Sequence, residues 1–308
     1  MHIAITGSTG LIGSALRDVL VATGHRVSQL VRRASVAPEE IGWDPLRGSI
    51  EEERLGGVDA VIHLAGASIG QRWTKAHMSN IRKSRVVGTR HLADALANSR
   101  SGPKTLICSS AIGYYGAHRG DELLTERSAA GDGFLAEVVQ AWEAAADPAR
   151  QAGLRVVHIR TGVVQSSGGG ILKLQLPLFK LGLGGRVGSG RQWLSWISLD
   201  DIVDIFRHAL ITPGLEGVIN GVAPNPVSNL EYSKTLARVL NRPAILPVPN
   251  FAPALLLGRQ GAEETALASQ RVIPERLLKS GYVFQHPELA TAFRELLGKW
   301  NQSKKSSD

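Results

Sequence analysis

Cysteine is almost absent from the sequence, and clusters of metal-binding side chains are absent as well. The chain has 308 residues and one cysteine, Cys108, which excludes an internal disulfide framework and gives no sign of an oxidising compartment. The nine histidines lie far apart along the chain, so no set of side chains has the spacing of a metal site. We therefore expect no bound metal.

Long apolar segments are missing too. No apolar run approaches the length needed to span a bilayer, and no basic segment followed by an apolar one precedes the first predicted strand. We therefore expect a cytoplasmic protein without a membrane partner.

The net charge of +8 raises the question of a nucleic-acid partner. The lysines and arginines are scattered, however, and no basic run is interleaved with aromatic residues, which make up only 5% of the chain. The charge instead favours attraction of an anionic cofactor or substrate, and no nucleic-acid partner is expected.

The first thirteen residues have the pattern of a nucleotide-binding turn. A short apolar run over residues 2–5 precedes TGSTGLIG at residues 6–13 and then an amphipathic stretch, which predicts a strand, a turn and a helix. The glycines permit a tight turn, close approach of a pyrophosphate and close packing of helix on strand, and the helix N-terminus offers free N–H groups. The predicted cofactor contacts are Gly7, Ser8, Thr9, Gly10, Leu11, Ile12 and Gly13.

Two arginines follow the second predicted strand, residues 26–31, where an NAD-binding chain usually has an acid for the ribose 2′-hydroxyl. Arg32 and Arg33 could instead fork onto a 2′-phosphate, which a carboxylate would repel. The alternative is a pair of solvated arginines at a strand end. Together with the glycine turn, they predict NADP(H) in preference to NAD(H).

Apolar runs with strand character alternate with helical patterns along the chain. Strands are predicted at residues 58–64, 105–109, 155–160 and 217–223, and helices at 75–98, 134–151 and 200–211. Residues 193–198 are expected to return to the main sheet. This alternation predicts an α/β fold, a Rossmann-type doubly wound parallel sheet with a smaller, mainly helical C-terminal substrate lobe.

The regular alternation falters after residue 164, which indicates a second substructure. We assign residues 1–165 with 193–224 to the nucleotide-binding domain and residues 166–192 with 225–301 to the substrate lobe. The polar tail, residues 302–308, is predicted to be disordered.

Two further segments resemble elements of short-chain dehydrogenase/reductase (SDR) proteins, as does the G-x-x-G-x-x-G spacing of the first turn. Residues 63–66, HLAG, resemble the H-x-A-G element along which extended SDR proteins pass the cofactor's adenosine and ribose. Residues 109–116, SSAIGYYG, resemble the serine-rich segment that leads into a V-Y-G turn, although these hydroxyls could also satisfy loop backbone groups. The resemblance implies cofactor contacts at His63, Leu64, Ala65, Gly66 and Ser109.

The Tyr-x-x-x-Lys pair of ordinary SDR enzymes is missing. In that pair the lysine helps to bring the tyrosine, whose pKa is ordinarily near ~10, toward working pH. The residues four positions beyond the four tyrosines are His118, Arg119, Leu236 and His286. None is a lysine. On the helix that should carry the pair, Phe134 and Val138 are predicted to occupy its two positions, and both are chemically inert.

This departure sharpens a resemblance to atypical extended SDR proteins, the NAD-dependent epimerase/dehydratase-like "epimerase family" group with a short C-terminal domain of unknown function. The resemblance runs nearly end to end. It includes residues 81–89, 134–143, 159–164, 182–197, 220–229 and 270–274. Where such proteins tend to have a histidine, this chain has Ser198 before Asp200 and Asp201, so a role for that histidine does not transfer.

If the chain is an enzyme, its proton donor must therefore come from elsewhere. Tyr115, Tyr114 and Ser110 are the candidate catalytic residues, with Glu126 and Lys173 as further candidates. A bound water or the substrate itself would serve equally well.

Arg82 and Arg85, three apart on one predicted helix face, are candidates for binding an acidic substrate group or a cofactor phosphate. The alternative is a solvated helix face. An anionic substrate would agree with the net charge.

Two functions remain open. The first is an NADP(H)-dependent oxidoreductase or nucleotide-sugar-epimerase-like enzyme that acts on a small, polar or anionic substrate. The second is a protein that binds NADP(H) without turnover and serves as a sensor or regulator, which the missing Tyr and Lys favour. Extended SDR proteins often dimerise through two helices, so a homodimer is among the expected assemblies.

Overall fold

The computed structural model describes residues 1–99 and 101–298. The predicted disordered tail, residues 302–308, lies outside the described residues. The strands are β1 His2–Thr6, β2 Arg26–Val31, β3 Glu40–Asp44, β4 Ser49–Ile50, β5 Ala60–His63, β6 Thr105–Ala111, β7 His118–Leu124, β8 Arg155–Thr161, β9 Val163–Gln165, β10 Trp193–Leu194, β11 Trp196–Ser198, β12 Gly217–Gly221, β13 Val227–Ser228 and β14 Ser269–Val272. The helices are α1 Leu11–Ala22, α2 Lys75–Asn98, α3 Phe134–Ala144, α4 Asp147–Gln151, α5 Gly170–Lys180, α6 Leu199–Ile211, α7 Asn229–Leu240, α8 Ala252–Leu257, α9 Arg259–Glu264, α10 Glu275–Lys279 and α11 Leu289–Leu296.

Within the described residues, an eight-stranded sheet forms the centre of the protein. Its strand order is β12-β8-β6-β5-β1-β2-β3-β4, and every neighbouring pair is parallel except β3 and β4. The chain therefore runs from β1 outward to β4 on one side and then, from β5, outward on the other. The carboxyl ends of β1 and β5 meet at this reversal, which is where parallel sheets bind their ligands.

The inner strands are apolar on both faces, as a sheet covered on two sides requires. In β1, for example, Ile3, Ala4 and Ile5 are wholly buried. Helices α1 and α6 pack on one face of the sheet, whereas α2 and α4 pack on the other. The predicted α/β fold with a doubly wound parallel sheet is confirmed.

Two predicted elements were wrong in detail. The helix expected over residues 134–151 is two helices, α3 and α4, because Pro148 lacks the N–H that would continue the hydrogen-bond ladder. Residues 193–198 do not return to the main sheet, since β10 pairs with β13 and β11 with β9 in two small sheets. Strand β8 has no free edge for them, because β6 and β12 occupy its two sides.

The segment after residue 225 is mainly helical and is tied closely to the first part of the chain. Strand β14 pairs with β7. At the start of α3, the carboxylate of Glu264 accepts hydrogen bonds from the backbone N–H groups of Phe134 and Leu135, at 3.1 and 2.7 Å. The C-terminal segment therefore caps a helix that packs on the main sheet. The domain boundaries assigned from the sequence stay a prediction.

A buried aspartate joins α6 to the C-terminal segment. The carboxylate of Asp201, which is wholly buried, accepts hydrogen bonds from the hydroxyls of Ser198 and Tyr282 at 2.8 and 3.2 Å. It also accepts the backbone N–H groups of Gln285 and His286, at 2.8 and 3.0 Å. Ser198 in turn caps α6, because its hydroxyl accepts the N–H of Asp201.

Two histidines lie inside the sheet. His63, at the end of β5, is wholly buried, with Nδ1 2.8 Å from the Thr6 hydroxyl and Nε2 2.9 Å from the Thr89 hydroxyl. His158 in β8 is also buried. Burial lowers the pKa of each imidazole to about 4, so both are neutral at pH 7.

Replacing Asp201 with alanine should destabilise the fold strongly. The change leaves the four donors that now bond this buried carboxylate without this acceptor, and we expect a loss of about 3 kcal/mol or more in the free energy of unfolding. Urea denaturation measures the loss. The matched control is Asp200→Ala, because the neighbouring side chain is exposed, and it should change stability by less than about 0.5 kcal/mol. Equal losses in the two variants would contradict this account.

Stability should fall between pH 7 and pH 5. The unfolded chain binds protons at histidines of ordinary pKa, about 6.5, whereas His63 and His158 resist protonation in the fold until the pH approaches 4. The stabilisation is thus full above pH 6.5 and is lost as the pH falls, by about 2 kcal/mol for each histidine at pH 5. Urea denaturation of His63→Gln should show a shallower pH dependence, while His118→Gln, an exposed control, should match the parent. A pH profile of His63→Gln that superimposes on the parent would count against this explanation.

Candidate functional site

The glycine turn lies where β1 reaches the carboxyl end of the sheet. Gly7 has φ of +67° and packs on the backbone of residues 64–65, so that a Cβ there would lie 2.9 Å from the carbonyl carbon of Leu64. At Gly13 a Cβ would lie 2.2 Å from the carbonyl oxygen of Gly7. Gly7 therefore requires glycine because of its positive φ, and both positions require it because a Cβ would clash with the backbone.

Helix α1 offers its first N–H groups to the space beside this turn. Gly10 caps the helix without a side chain, and the N–H groups of the first turn have no acceptor within the helix. Thr9 and Gly10 are exposed, so an anion can approach these groups.

Other side chains of the turn shape it from within. The buried Ser8 hydroxyl donates to the side-chain oxygen of Gln29 at 2.9 Å. Ile12 packs on the main core, and Leu11 lies against Gly169, the residue before α5. The predicted contacts of Ser8, Leu11 and Ile12 with a cofactor stay a prediction.

The two arginines after β2 have different surroundings. Arg33 donates to both carboxylate oxygens of Glu40, at 2.8 and 2.5 Å, and this bonding lowers the pKa of Glu40. Arg32 is exposed and has no hydrogen bond or ion pair with any described residue. Arg32 is therefore the uncommitted cation at the end of this strand.

The side chain of His63 points into the fold, and its predicted contact with a cofactor stays a prediction. It is wholly buried and holds Thr6, whose hydroxyl accepts the N–H groups of Leu64 and Ala65 at 3.0 and 3.1 Å. The histidine thus positions the following loop. Gly66, in contrast, is exposed.

The two serines of β6 point in opposite directions because side chains alternate along a strand. Ser110 is buried on the α3 side of the sheet, where its hydroxyl donates to Glu143 at 2.6 Å. Ser109 is half-buried on the other face and has no hydrogen bond from its side chain to a described residue. Only the hydroxyl of Ser109 is therefore free to meet a ligand.

A buried network engages the Ser110 and Tyr115 hydroxyls, two of the three predicted catalytic groups. Arg160 donates to both carboxylate oxygens of Glu143, at 2.9 and 2.8 Å, and to the Tyr115 hydroxyl at 3.2 Å. The Tyr115 hydroxyl donates to Asn220 at 2.7 Å. Burial raises the pKa of Tyr115; burial by itself would also raise that of Glu143, but the hydrogen bonds and charge of Arg160 lower it.

The catalytic assignments of Tyr115 and Ser110 stay predictions, and the structure weighs against them because both hydroxyls are closed off from solvent and already bonded. Tyr114 is different. It is half-buried, its ring lies 3.2 Å from the Arg160 guanidinium carbon, and its hydroxyl makes no hydrogen bond to a described residue. It is the predicted catalytic hydroxyl that remains available.

The α3 residues that face segment 109–116 are one position later than predicted. Phe134 stacks edge-on against Trp73, 5.4 Å between ring centroids, and Val138 is buried in the same cluster. A Cβ at Gly113 would instead lie 3.3 Å from Leu135 and 3.9 Å from Val139. The assignment of Phe134 and Val138 to the positions of the missing pair stays a prediction, and Leu135 and Val139 are likewise apolar and inert.

The remaining candidates lie apart from this segment. Glu126 accepts the backbone N–H groups of Asn220 and Arg276, between β12 and α10, and Lys173 is exposed on α5. Sequence reasoning missed the Arg160–Glu143 pair. A charged residue at the end of the apolar strand RVVHIRT was the signal that could have indicated a buried ion pair.

The described residues contain neither a helix suited to a membrane nor a cluster of metal-binding side chains. Over residues 1–99 and 101–298, none of the helices combines the length and apolarity that crossing a bilayer needs. The same part of the chain holds no group of three or more His, Cys, Asp or Glu side chains arranged to bind a metal ion.

The chain has relatives that match over nearly its whole length. Epimerase family protein Mb2239 of Mycobacterium bovis is 44% identical over 291 residues, 94% of this chain and 95% of that protein. The crystal structure of human epimerase family protein SDR39U1, isoform 2, with NADPH has a TM-score of 0.87 at 36% identity, covering 97% of this chain and 99% of that one. A nucleoside-diphosphate sugar epimerase from Corynebacterium glutamicum has a TM-score of 0.82 at 41% identity, covering 99% of this chain and 60% of that one.

Two family models match different parts of the chain. Residues 248–296 match a domain of unknown function, DUF1731. Residues 3–220 match the model of the NAD dependent epimerase/dehydratase family. With more than half of the chain matched and whole-length relatives above 40% identity, the protein belongs to the NAD dependent epimerase/dehydratase family.

Proposed function

We propose that the protein binds NADP(H) at the carboxyl end of the sheet and acts there as an oxidoreductase or epimerase-like enzyme. The observation that carries the cofactor preference is the free cation of Arg32 next to a glycine cradle, while Arg33 is neutralised by Glu40. The similarity to human SDR39U1, whose crystal structure contains NADPH, supports this preference.

The residues of the cleft fit such a group. Gly7 and Gly13 let the turn pack directly on the loop after β5 and on α1, and the start of α1 offers N–H groups for phosphate. Gly66 leaves the path past β5 open, and the Ser109 hydroxyl is free at the end of β6. When bound, NADP(H) supplies the hydride chemistry, and the protein supplies binding, orientation and electrostatics.

Tyr114 is the proposed proton donor of the protein itself. Its free hydroxyl lies in the segment that follows β6, and the Arg160 guanidinium, 3.2 Å from the ring centroid, holds the ring in place. The C-terminal segment would limit the access of water to this hydroxyl. The carboxylate of Glu264 fixes the segment to the start of α3, and Gly261 in α9 packs against the ring of Trp73.

The second candidate function is an NADP(H)-binding sensor or regulator without turnover. It is favoured by the apolar pair Leu135 and Val139 facing the segment, and by the burial of the Ser110 and Tyr115 hydroxyls. If the protein is an enzyme, as in the first proposal, its substrate is small and anionic. The homodimer and the cytoplasmic location expected from the sequence stay predictions.

Arg32→Ala should weaken NADPH far more than NADH. Loss of a charge-assisted pair with the 2′-phosphate should raise the NADPH Kd about tenfold to a hundredfold, and the NADH Kd by less than about threefold. Isothermal titration calorimetry measures both constants. Arg33→Ala is the matched control, because Glu40 already holds that guanidinium, and its effect on NADPH should be smaller. Equal losses for the two cofactors would overturn the assignment.

Tyr114→Phe tests whether the protein is an enzyme. With a panel of small carbonyl substrates that includes keto acids, an enzyme should consume NADPH, and the variant should reduce kcat by a factor of about 10² or more while the NADPH Kd is retained. Absorbance of NADPH follows the reaction. Tight NADPH binding by the parent protein with no consumption across the panel would favour the sensor instead.

A further inference from the structure

Helix α5 has apolar side chains on two faces, and only one of these faces is covered. Leu172, Leu176 and Phe179 lie on the covered face and are buried in the main core. The other face and its continuation past the helix end have exposed apolar side chains three or four residues apart, which is helical spacing. They are Ile171, Leu174, Leu178 and Leu181. Their exposed fractions run from 40% to 73%, whereas the face of a surface helix opposite the core is ordinarily polar.

A second exposed apolar segment lies beside the end of this helix. Nε of Arg242 donates to the carbonyl oxygen of Lys180 at 2.8 Å, and Gly185 packs against the carbonyl group of Leu246. Ile245 is 82% exposed, and Leu246 is exposed as well. These two side chains therefore extend the apolar surface that begins on α5. We call the combined surface the outer patch, and its members are Ile171, Leu174, Leu178, Leu181, Ile245 and Leu246.

The charges along the segments that form the outer patch have one sign. Residues 148–199, which include α5, contain no aspartate or glutamate, and neither do residues 232–262, which include the rest of the patch. Lys173, Lys180 and Arg242 are exposed. None of these three cations forms an ion pair with a described residue.

Several exposed arginines elsewhere on the protein have a carboxylate partner. Arg47 lies 3.8 Å from Asp44, and Arg90 lies 3.1 Å from Asp94. Charges of both signs, interspersed in this way, are typical of a soluble surface. The outer patch instead combines exposed aliphatic side chains with unpaired cations.

A contiguous exposed apolar patch marks an interaction site, and the charges beside it select the partner. A second copy of the chain that docked through the same patch would bring Lys173, Lys180 and Arg242 close to their counterparts, and like-charge repulsion opposes this. Protein interfaces are enriched in aromatic side chains, Met and Arg and depleted in Lys, whereas the outer patch is wholly Leu and Ile with lysines beside it. Leucines flanked by Lys or Arg are typical of helices that lie in the headgroup region of a bilayer.

We propose that the outer patch docks the protein reversibly on the surface of an anionic lipid bilayer. Leu174, Leu178 and Leu181 enter the boundary between headgroups and acyl chains, while Lys173 and Lys180 lie at the level of the lipid phosphates. Docking of this kind needs no spanning segment, and the expectation of no membrane partner concerned spanning length alone. The proposal goes beyond the proposed function, because neither a cofactor nor turnover takes part in the contact.

Co-sedimentation of the full-length protein with lipid vesicles tests the docking. One set of vesicles is phosphatidylcholine alone, and the other contains about one third phosphatidylglycerol, whose headgroup is anionic. We expect the partition coefficient for the anionic vesicles to be at least about tenfold higher, and to fall as sodium chloride is raised from about 0.05 to about 0.5 M. Equal partition into both kinds of vesicle, or into neither, would overturn the proposal.

Loss of two leucines should weaken docking and leave the fold intact. Leu174→Ser with Leu181→Ser removes side chains that are already 71% and 73% exposed, so the melting temperature should change by less than about 2 °C. The partition coefficient for anionic vesicles should fall at least about tenfold. The matched control is Val36→Ser with Val283→Ser, because these valines are 80% and 82% exposed and lie outside both acid-free segments. Full binding by the leucine variant, or an equal loss in the valine control, would contradict the proposal.

A charge variant keeps the test independent of any folding defect in the leucine variant. Lys180→Gln should lower the partition coefficient for anionic vesicles about threefold to fivefold and leave that for phosphatidylcholine unchanged. Lys104→Gln is the matched control, because this exposed lysine lies before β6 and outside the acid-free segments, and it should match the parent. Identical partition of the two lysine variants into anionic vesicles would refute the electrostatic part and with it the proposal.

Sedimentation velocity without lipid tests the competing occupant, a second copy of the chain. The proposal expects the parent and Leu174→Ser with Leu181→Ser to sediment at the same rate, because the outer patch is free in solution. A parent dimer that the leucine substitutions dissociate would show that another copy covers the patch, and docking on a bilayer would then be ruled out.

Discussion

The candidate site depends on backbone packed against backbone at Gly7. On one side this residue lies against the carbonyl of Leu64, and on the other its own carbonyl oxygen lies against Gly13 of α1, with no room for a side chain at either contact. β1, α1 and the loop after β5 are thereby fixed within van der Waals contact of one another. His63 stabilises the same contact, because its imidazole bonds the hydroxyl of Thr6 and that hydroxyl accepts the N–H of Leu64. Because these backbone contacts belong to the packing of the core, the glycine turn has its conformation without a ligand. Binding therefore does not have to order the turn.

The charged side chains inside the protein differ in whether the fold itself supplies their partners. Arg160 and Glu143 neutralise each other and extend the bonding to Tyr115, which ties the ends of β6 and β8 together. Asp201, in the first turn of α6, likewise accepts hydrogen bonds from the C-terminal segment. Arg85, by contrast, donates to two backbone carbonyl oxygens and makes no ion pair with a described residue.

Much of the architecture could be predicted from the sequence because it depends on local pattern. Apolar runs and helical spacing located β1, β2 and α2, and the glycine spacing located the turn. Local sequence patterns, however, cannot show which residues distant in the sequence are in contact in the fold. Whether Arg32 or Arg33 is free depends on Glu40, which reaches this place only because β3 pairs with β2. The roles of Ser109 and Ser110 depended on strand alternation, which was available from the sequence but needed the position of α3 to be interpreted.

The lost tyrosine and lysine pair limits what chemistry the site can perform. In ordinary members of this class an ammonium group assists a tyrosine, and its charge is not cancelled. Here the cation nearest a free phenol is Arg160, which contacts the ring face of Tyr114 and is forked onto Glu143. Since the carboxylate of Glu143 offsets the field of that guanidinium, Arg160 does not take the place of the missing lysine. A reaction at this site would therefore draw its proton from Tyr114 without such assistance, from a bound water or from the substrate itself.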